Sequence, residues 1–236
     1  MKKFVLIIFH PGSAGNFLSR CINLLDNAYK FVSRNDPMTL PSTIEEKLSL
    51  LSYTGSSTFL SQQRWGEFEE LIVPYCFRRP HWDLPNNAIA CFIAHPDNFD
   101  NFFSLLGKDD KQFVFYIDPH KCYEWAILNS LHKNSYCNYY VNESIEKYLQ
   151  CPNVHKIDLN EIITSSNNFF TEFKKICDIL EHVIDADEEK AIKQLYKEWY
   201  TTTLKPEQFE EFKKQLNTRL LSNRVAKSKY NLYNKQ

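Results

Sequence analysis

The sequence predicts an α/β fold: a three-layer arrangement with a central parallel sheet of about four to five strands, helices on both faces and a helical C-terminal part. Three observations predict it. Four short runs, Phe4–Phe9, Ala88–Ala94, Gln112–Ile117 and Val154–Ile157, read as strands, the first two all-apolar as expected of buried strands. Helical periodicity lies between and after these runs, and strands alternating with helices imply parallel pairing. Each run also ends in groups suited to chemistry: His10-Pro11-Gly12-Ser13, His95-Pro96, Asp118-Pro119-His120 and Asp158. An open parallel sheet binds its ligands beyond such carboxyl ends.

The elements follow in order. Phe4-Val-Leu-Ile-Ile-Phe9 breaks at His10-Pro11-Gly12-Ser13-Ala14-Gly15-Asn16, and apolar residues resume at 17, 18, 21, 22, 24 and 25 with helical spacing. A strand therefore feeds a helix through a loop holding two of the five glycines. Such a loop offers backbone N–H groups and the positive end of a helix dipole to an anion, or it is an ordinary tight strand-to-helix turn. An extended piece follows at Phe31-Val32, a turn at Asp36-Pro37, and a helix over 43–52 with Ser42 as cap and Glu45 completing a capping box. Residues 53–87 read as part helix and part loop, an insertion on the acceptor side of a site, with an aromatic and basic stretch from Tyr75 to Trp82 that includes Arg78 and Arg79.

After the second strand, Asp97 caps a helix over 98–106 that Gly107 ends, and the third strand leads to a helix over 120–132. A helix over 144–149 precedes the fourth strand. Helices over 168–182, 187–200 and 206–221 complete the chain, with a basic tail over 222–236. Residues 1–236 read as a single domain.

Composition limits the function. Hydrophobic residues at 43% and charged residues at 24% are globular values, and a net charge of −1 leaves no broad footprint for nucleic acid or acidic membranes. The seven cysteines are odd in number and contain no C-x-x-C pair, so they read as reduced thiols of a cytoplasmic protein and not as a disulfide framework or zinc site. Met1-Lys2-Lys3 with its apolar run imitates a signal peptide, but the run stops at His10-Pro11. No run approaches the roughly 18 to 20 residues that span a bilayer.

The loop lacks G-x-x-x-x-G-K-[ST], and G-x-G-x-x-G is absent, which disfavours the usual ATP and NAD enzymes. His95 is the sharpest candidate among the strand ends, because a neutral imidazole can take a proton from a hydroxyl near neutral pH; capping a neighbouring loop is its structural alternative.

Order and spacing together resemble the nucleotide-dependent sulfotransferases. That family carries Pro-(Lys or Arg)-Ser-Gly-Thr-Thr after its first strand, where this chain has Pro11-Gly12-Ser13-Ala14-Gly15-Asn16. A later strand ends in a base, commonly His-x-Pro, and here Ala94-His95-Pro96 stands there. The next ends in Arg-(Asp or Asn)-Pro-Arg-Asp and leads to a helix bearing Ser, matched by Ile117-Asp118-Pro119-His120 and Ser130. The resemblance spans residues 4 to about 180 and implies a P-loop NTPase-like fold. It also implies 3′-phosphoadenosine 5′-phosphosulfate as donor, no metal, and a carbohydrate or small-metabolite hydroxyl as acceptor. By the same resemblance His95 is the catalytic base, and Gly12, Ser13, Ala14, Gly15, Asn16, Phe17, Asp118 and Ser130 hold the donor.

The chain departs from the pattern where charge matters. Gly12 replaces the loop cation, Ile117 replaces the Arg that holds the 3′-phosphate, and Trp125 stands at the family's Ser position. Each lost charge-assisted contact is worth on the order of 1.5 to 3 kcal/mol. Arg20, Arg78, Arg79 or Lys121 take over, or the donor differs, or a catalytically degenerate nucleotide- or anion-binding protein survives on the fold. A divergent kinase is a weaker alternative, given the missing Lys.

Overall fold

The computed structural model describes residues 3–10, 12–31, 37–39, 58–60, 87–94, 112–119, 122–132, 149–205, 208–211 and 214 of the 236-residue chain. Seven strands among the described residues form one sheet, the frame of the fold. Its strands are β1 (Lys3–Phe9), β2 (Ala28–Phe31), β3 (Pro37–Thr39), β4 (Thr58–Leu60), β5 (Ile89–Ala94), β6 (Gln112–Asp118) and β7 (Val154–Asp158). They lie in the order β3-β2-β5-β1-β6-β7, and β4 also pairs with β5. Among the described strands only β3 runs antiparallel to its neighbour.

β1 lies between β5 and β6, with Leu6 opposite Phe92 on one side and Ile8 opposite Tyr116 on the other. Its Leu6, Ile7 and Ile8 are fully buried, so consecutive side chains, which point to opposite faces, are both shielded. That is the continuous apolar pattern of a central parallel strand. The far edge of β5 is shared: β2 pairs with Ile89 and Ala90, and β4 with Phe92 to Ala94.

The four expected strands are all present, with ends displaced by no more than one residue. Two short strands depart from expectation. Pro37, expected in a turn, opens β3; a proline lacks only the N–H that an edge strand can spare at its first residue. The segment 53–87, expected to be helix and loop, contributes β4, a Thr-Phe-Leu run too short for period-2 alternation to register.

The described helices are α1 (Gly15–Leu24), α2 (Tyr123–His132), α3 (Leu159–Thr164), α4 (Ser166–Ile179) and α5 (Ala186–Thr201). Residues 208–211 and 214 are also helical. The helices expected over 43–52 and 98–106, nearly all of that over 144–149, and the tail over 222–236 lie outside the described residues. α3 was not expected: Asp158 ends β7 and accepts from the Asn160 N–H at 2.9 Å, capping a new helix at once. Ser165 then caps α4 by accepting from the Asn168 N–H.

All five helices contribute to one core cluster with Val5, Ile7 and Phe9 of β1, Ile93 of β5 and Phe115 and Ile117 of β6. Aromatic rings fill it, as the 18 Phe and 13 Tyr of the sequence suggest. Phe17 on α1 stacks on Trp199 of α5 with centroids 4.4 Å apart and lies 4.8 Å from Phe169 of α4. Thiols belong to this core as well. Burial pushes the Cys177 thiol up to about 12 and raises Cys21 well above its ordinary value, and no disulfide joins the described cysteines. No described helix is long and apolar enough to cross a membrane.

A buried carboxylate clasps the C-terminal helices to the sheet domain. Glu188 of α5, 1% exposed, accepts from the Asp26 N–H at 2.7 Å, the Asp185 N–H at 3.0 Å and His182 Nε2 at 3.0 Å. Burial opposes its charge, but the His182 hydrogen bond and the two backbone N–H groups outweigh burial and hold its pKa below the usual glutamate value. A group depressed on folding stabilises above its unfolded pKa, near 4.5, and that contribution is lost as pH falls through the lower folded value. Glu188→Gln should therefore cost about 1.5–3 kcal/mol at pH 7 and flatten the loss of stability below pH 5. Denaturant melts across a pH series check it; parallel pH curves for variant and wild type would refute the clasp.

Candidate anion-binding site

The loop leaving β1 is held tightly by its own backbone. The Ser13 N–H donates to the His10 carbonyl at 3.0 Å, closing a four-residue turn. Gly12 holds its third position with φ +84, in the left-handed region that favours glycine. A Cβ on Gly12 would lie 2.0 Å from the Ala126 carbonyl oxygen of α2, and one on Gly15 would lie 2.0 Å from the Phe9 ring. Both glycines thus answer to a turn and to close packing before any ligand is considered.

Ala14 follows at φ 63 and ψ 10, in the left-handed region although it carries a Cβ. That conformation costs an alanine about 1–2 kcal/mol. It is also the N-cap of α1, and its side chain makes no capping hydrogen bond. The first intrahelical bond is from the Leu18 N–H to the Ala14 carbonyl at 2.9 Å, so helix geometry gives the N–H groups of Gly15, Asn16 and Phe17 no carbonyl within the helix. A left-handed residue entering a right-handed helix turns successive N–H groups to one side, the concavity that accepts phosphate or sulfate oxygens. The Ser13 N–H, expected among the donors, is already spent on His10. The cradle is therefore one residue shorter than the sequence suggests.

Two buried hydroxyls belong to this region. Ser13 Oγ and Ser130 Oγ have no hydrogen-bond partner among the described residues. Ser130 comes from α2, and its Cβ would lie 3.0 Å from a Cβ on Gly12, which sets it against the loop. The structure thus brings together Gly12, Ser13, Ala14, Gly15, Asn16, Phe17 and Ser130.

Other candidates are engaged elsewhere. Asp118 ends β6 and pairs with Lys156 of β7 at 2.5 Å, a cation that sequence reasoning passed over because it sits inside a strand. The register, with Tyr116 opposite Lys156 and Asp118 opposite Asp158, puts that cation near the carboxyl end of the sheet. Ile117 is fully buried in the core cluster and supplies no charge. Trp125, at the family's Ser position, donates from Nε1 to the Leu204 carbonyl at 3.2 Å. His10 is buried, with Nε2 3.5 Å from the Tyr116 hydroxyl. His95, Arg78, Arg79, His120 and Lys121 lie outside the described residues.

Asn129 was also missed. It is 1% exposed, one residue before Ser130, and donates from Nδ2 to the Gly12 carbonyl at 3.0 Å. The signal was its place on α2 four residues after Trp125, which puts both side chains on one helix face.

No family model matches the chain, and no curated protein matches it. Among solved structures it is similar to a sulfotransferase domain from the curacin biosynthetic pathway, at 11% identity and a TM-score of 0.38, over 92% of this chain and 98% of that one. A likeness at this level carries no argument about this chain. The α/β fold stands on its own parallel sheet and helices, and any function must be argued from the loop.

Two substitutions test the loop geometry. Ala14→Gly should leave stability unchanged or raise it by up to about 1 kcal/mol, because glycine enters the left-handed region without penalty. Gly15→Ala should lower it by about 1–3 kcal/mol, because the new Cβ meets the buried Phe9 ring. Thermal melts check both, and a destabilised Ala14→Gly would refute the strained cap.

Proposed function

We propose that the chain is a sulfotransferase-like enzyme that moves a sulfonate group from 3′-phosphoadenosine 5′-phosphosulfate to a hydroxyl of a carbohydrate or small metabolite. The observation that carries the reading is the strained entry to α1, with Ala14 left-handed and the Ser13 and Ser130 hydroxyls buried in the same region. Leaving a buried hydroxyl unpaired costs about 1–3 kcal/mol, and an anion oxygen seated in the loop would remove that cost. Order along the chain supports the rest, since His95 directly follows β5, the neighbour of β1 in the sheet.

In this reading the N–H groups of Gly15 to Phe17 and the two serine hydroxyls hold the 5′-phosphosulfate. The acceptor oxygen attacks sulfur and forms the new O–S bond as the bond from sulfur to the bridging phosphate oxygen breaks. His95 takes the acceptor's proton, and 3′-phosphoadenosine 5′-phosphate leaves with the electron pair. Lys156 is the described cation nearest this edge by sheet register, though it shares its charge with Asp118.

That sharing favours a second reading, a nucleotide- or anion-binding protein without transfer. Gly12 contributes backbone alone, and Ile117 is buried among apolar side chains. Transition-state charge on the bridging oxygen then has no cation among the described residues of the loop.

Binding and turnover separate the two. At 100 times its Kd, 3′-phosphoadenosine 5′-phosphate should stabilise the fold by about 2.7 kcal/mol, seen as a raised Tm. No shift at millimolar nucleotide would sink the donor assignment. His95→Ala should lower turnover about 10²–10⁴-fold while leaving nucleotide binding intact. Binding without turnover in the wild type would select the second reading.

A further inference from the structure

We infer that Asn129 is the positioning residue of the anion loop, an assignment that rests on the reading of that loop as an anion site. Its amide is used at both ends. Nδ2 donates to the Gly12 carbonyl at 3.0 Å, and Oδ1 accepts from the Leu204 N–H at 3.1 Å. An amide is the side-chain group of this size that donates at one end and accepts at the other, and here the two partners are an acceptor and a donor respectively.

The consequence for the loop is specific. The peptide between Gly12 and Ser13 is pinned on both sides, its carbonyl by Asn129 and its N–H by the His10 carbonyl. With that plane fixed, the carbonyl of Gly12 is held toward α2. A carbonyl released from α2 could turn its negative end toward the bound anion, which would oppose binding without any change in the serines.

The other end of the amide supplies a control. Leu204, 2% exposed, follows α5 and is gripped twice by α2, its N–H by Asn129 and its carbonyl by Trp125 Nε1 at 3.2 Å. Trp125 therefore shares the C-terminal anchorage of Asn129 without touching Gly12 through that bond. If Asn129 served anchorage alone, loss of either residue's hydrogen bond to Leu204 would have the same effect on the loop.

The experiment compares Asn129→Asp with Trp125→Phe in the full chain. The aspartate keeps an acceptor for Leu204 but faces the Gly12 carbonyl with an oxygen; the phenylalanine keeps an aromatic ring and loses the donor to Leu204. Titration with 3′-phosphoadenosine 5′-phosphate and with inorganic phosphate should show affinity at least tenfold weaker for Asn129→Asp and within twofold of wild type for Trp125→Phe. At low pH a protonated aspartic acid can donate to Gly12 again, so part of the lost affinity should return. Hydrogen exchange at the Ser13 amide, read without ligand, should quicken in Asn129→Asp and not in Trp125→Phe. If the aspartate variant does not fold, Asn129→Ser, which reaches neither partner, takes its place under the same exchange readout. Wild-type affinity and exchange in the Asn129 variant, or equal losses in both variants, would overturn the assignment. A wild type that binds neither probe would instead overturn the anion-site reading, and with it this one.

Discussion

Everything at the candidate site depends on β1 being unable to move. Its central residues are fully buried, it is hydrogen-bonded to β5 and β6 along its length, and side chains on both of its faces are shielded from water. Displacing it would expose apolar side chains worth roughly 1.5–3 kcal/mol each and break two ladders. The turn that follows inherits this rigidity. His10 accepts from Ser13 at the strand's end, Phe9 blocks any side chain at Gly15, and α2 blocks any at Gly12. A strained residue such as Ala14 persists only where its surroundings leave it no relaxed alternative, and these contacts supply that condition.

The same rigidity explains what could be read from the sequence and what could not. β1, β5 and β6 were legible because burial on both faces leaves a nearly unbroken apolar run, the strongest strand signal of a parallel sheet, whereas β7, with Lys156 exposed, rested on the short Val154–Ile157 run alone. β3 and β4 were not, since three residues carry no period and Pro37 reads as a turn unless the edge position is known. α1 was legible in the apolar part of its buried set, because 17, 18, 21, 22 and 24 repeat at helical spacing and all are buried, whereas its buried Ser19 and Asn23 leave no such signal. Of the site, the loop was visible through its two glycines, but their reason was not. The sequence suggests room for an anion; the structure shows a left-handed Gly12 and two close packings that require glycine in any case.

Charge was the least legible quantity. Formal charges along the chain do not say which of them are neutralised by a neighbouring strand, and parallel register brings together residues about forty apart. Asp118 and Lys156 meet in this way across β6 and β7. Asp158, also at a strand end, spends its carboxylate on capping α3. Two of the titratable groups that made the strand ends look chemical are therefore occupied by structural work, and the polar character of the loop rests on backbone N–H groups and serine hydroxyls.

A loop of that kind sets a definite chemical limit. Backbone N–H groups hold an anion through directed partial charges that are fixed before the ligand arrives, so they can orient a phosphate or sulfate with little reorganisation. They stabilise ground state and transition state nearly alike unless a further charge develops within their reach. Binding is then the property such a loop supplies by itself, and acceleration has to come from a group placed where the leaving oxygen gains charge. Gly12 brings a carbonyl into the turn, so the direction of that carbonyl bears on any anion the loop would hold. Asn129 holds that carbonyl against α2, and on the proposed reading this restraint keeps the loop's negative dipole away from a bound anion.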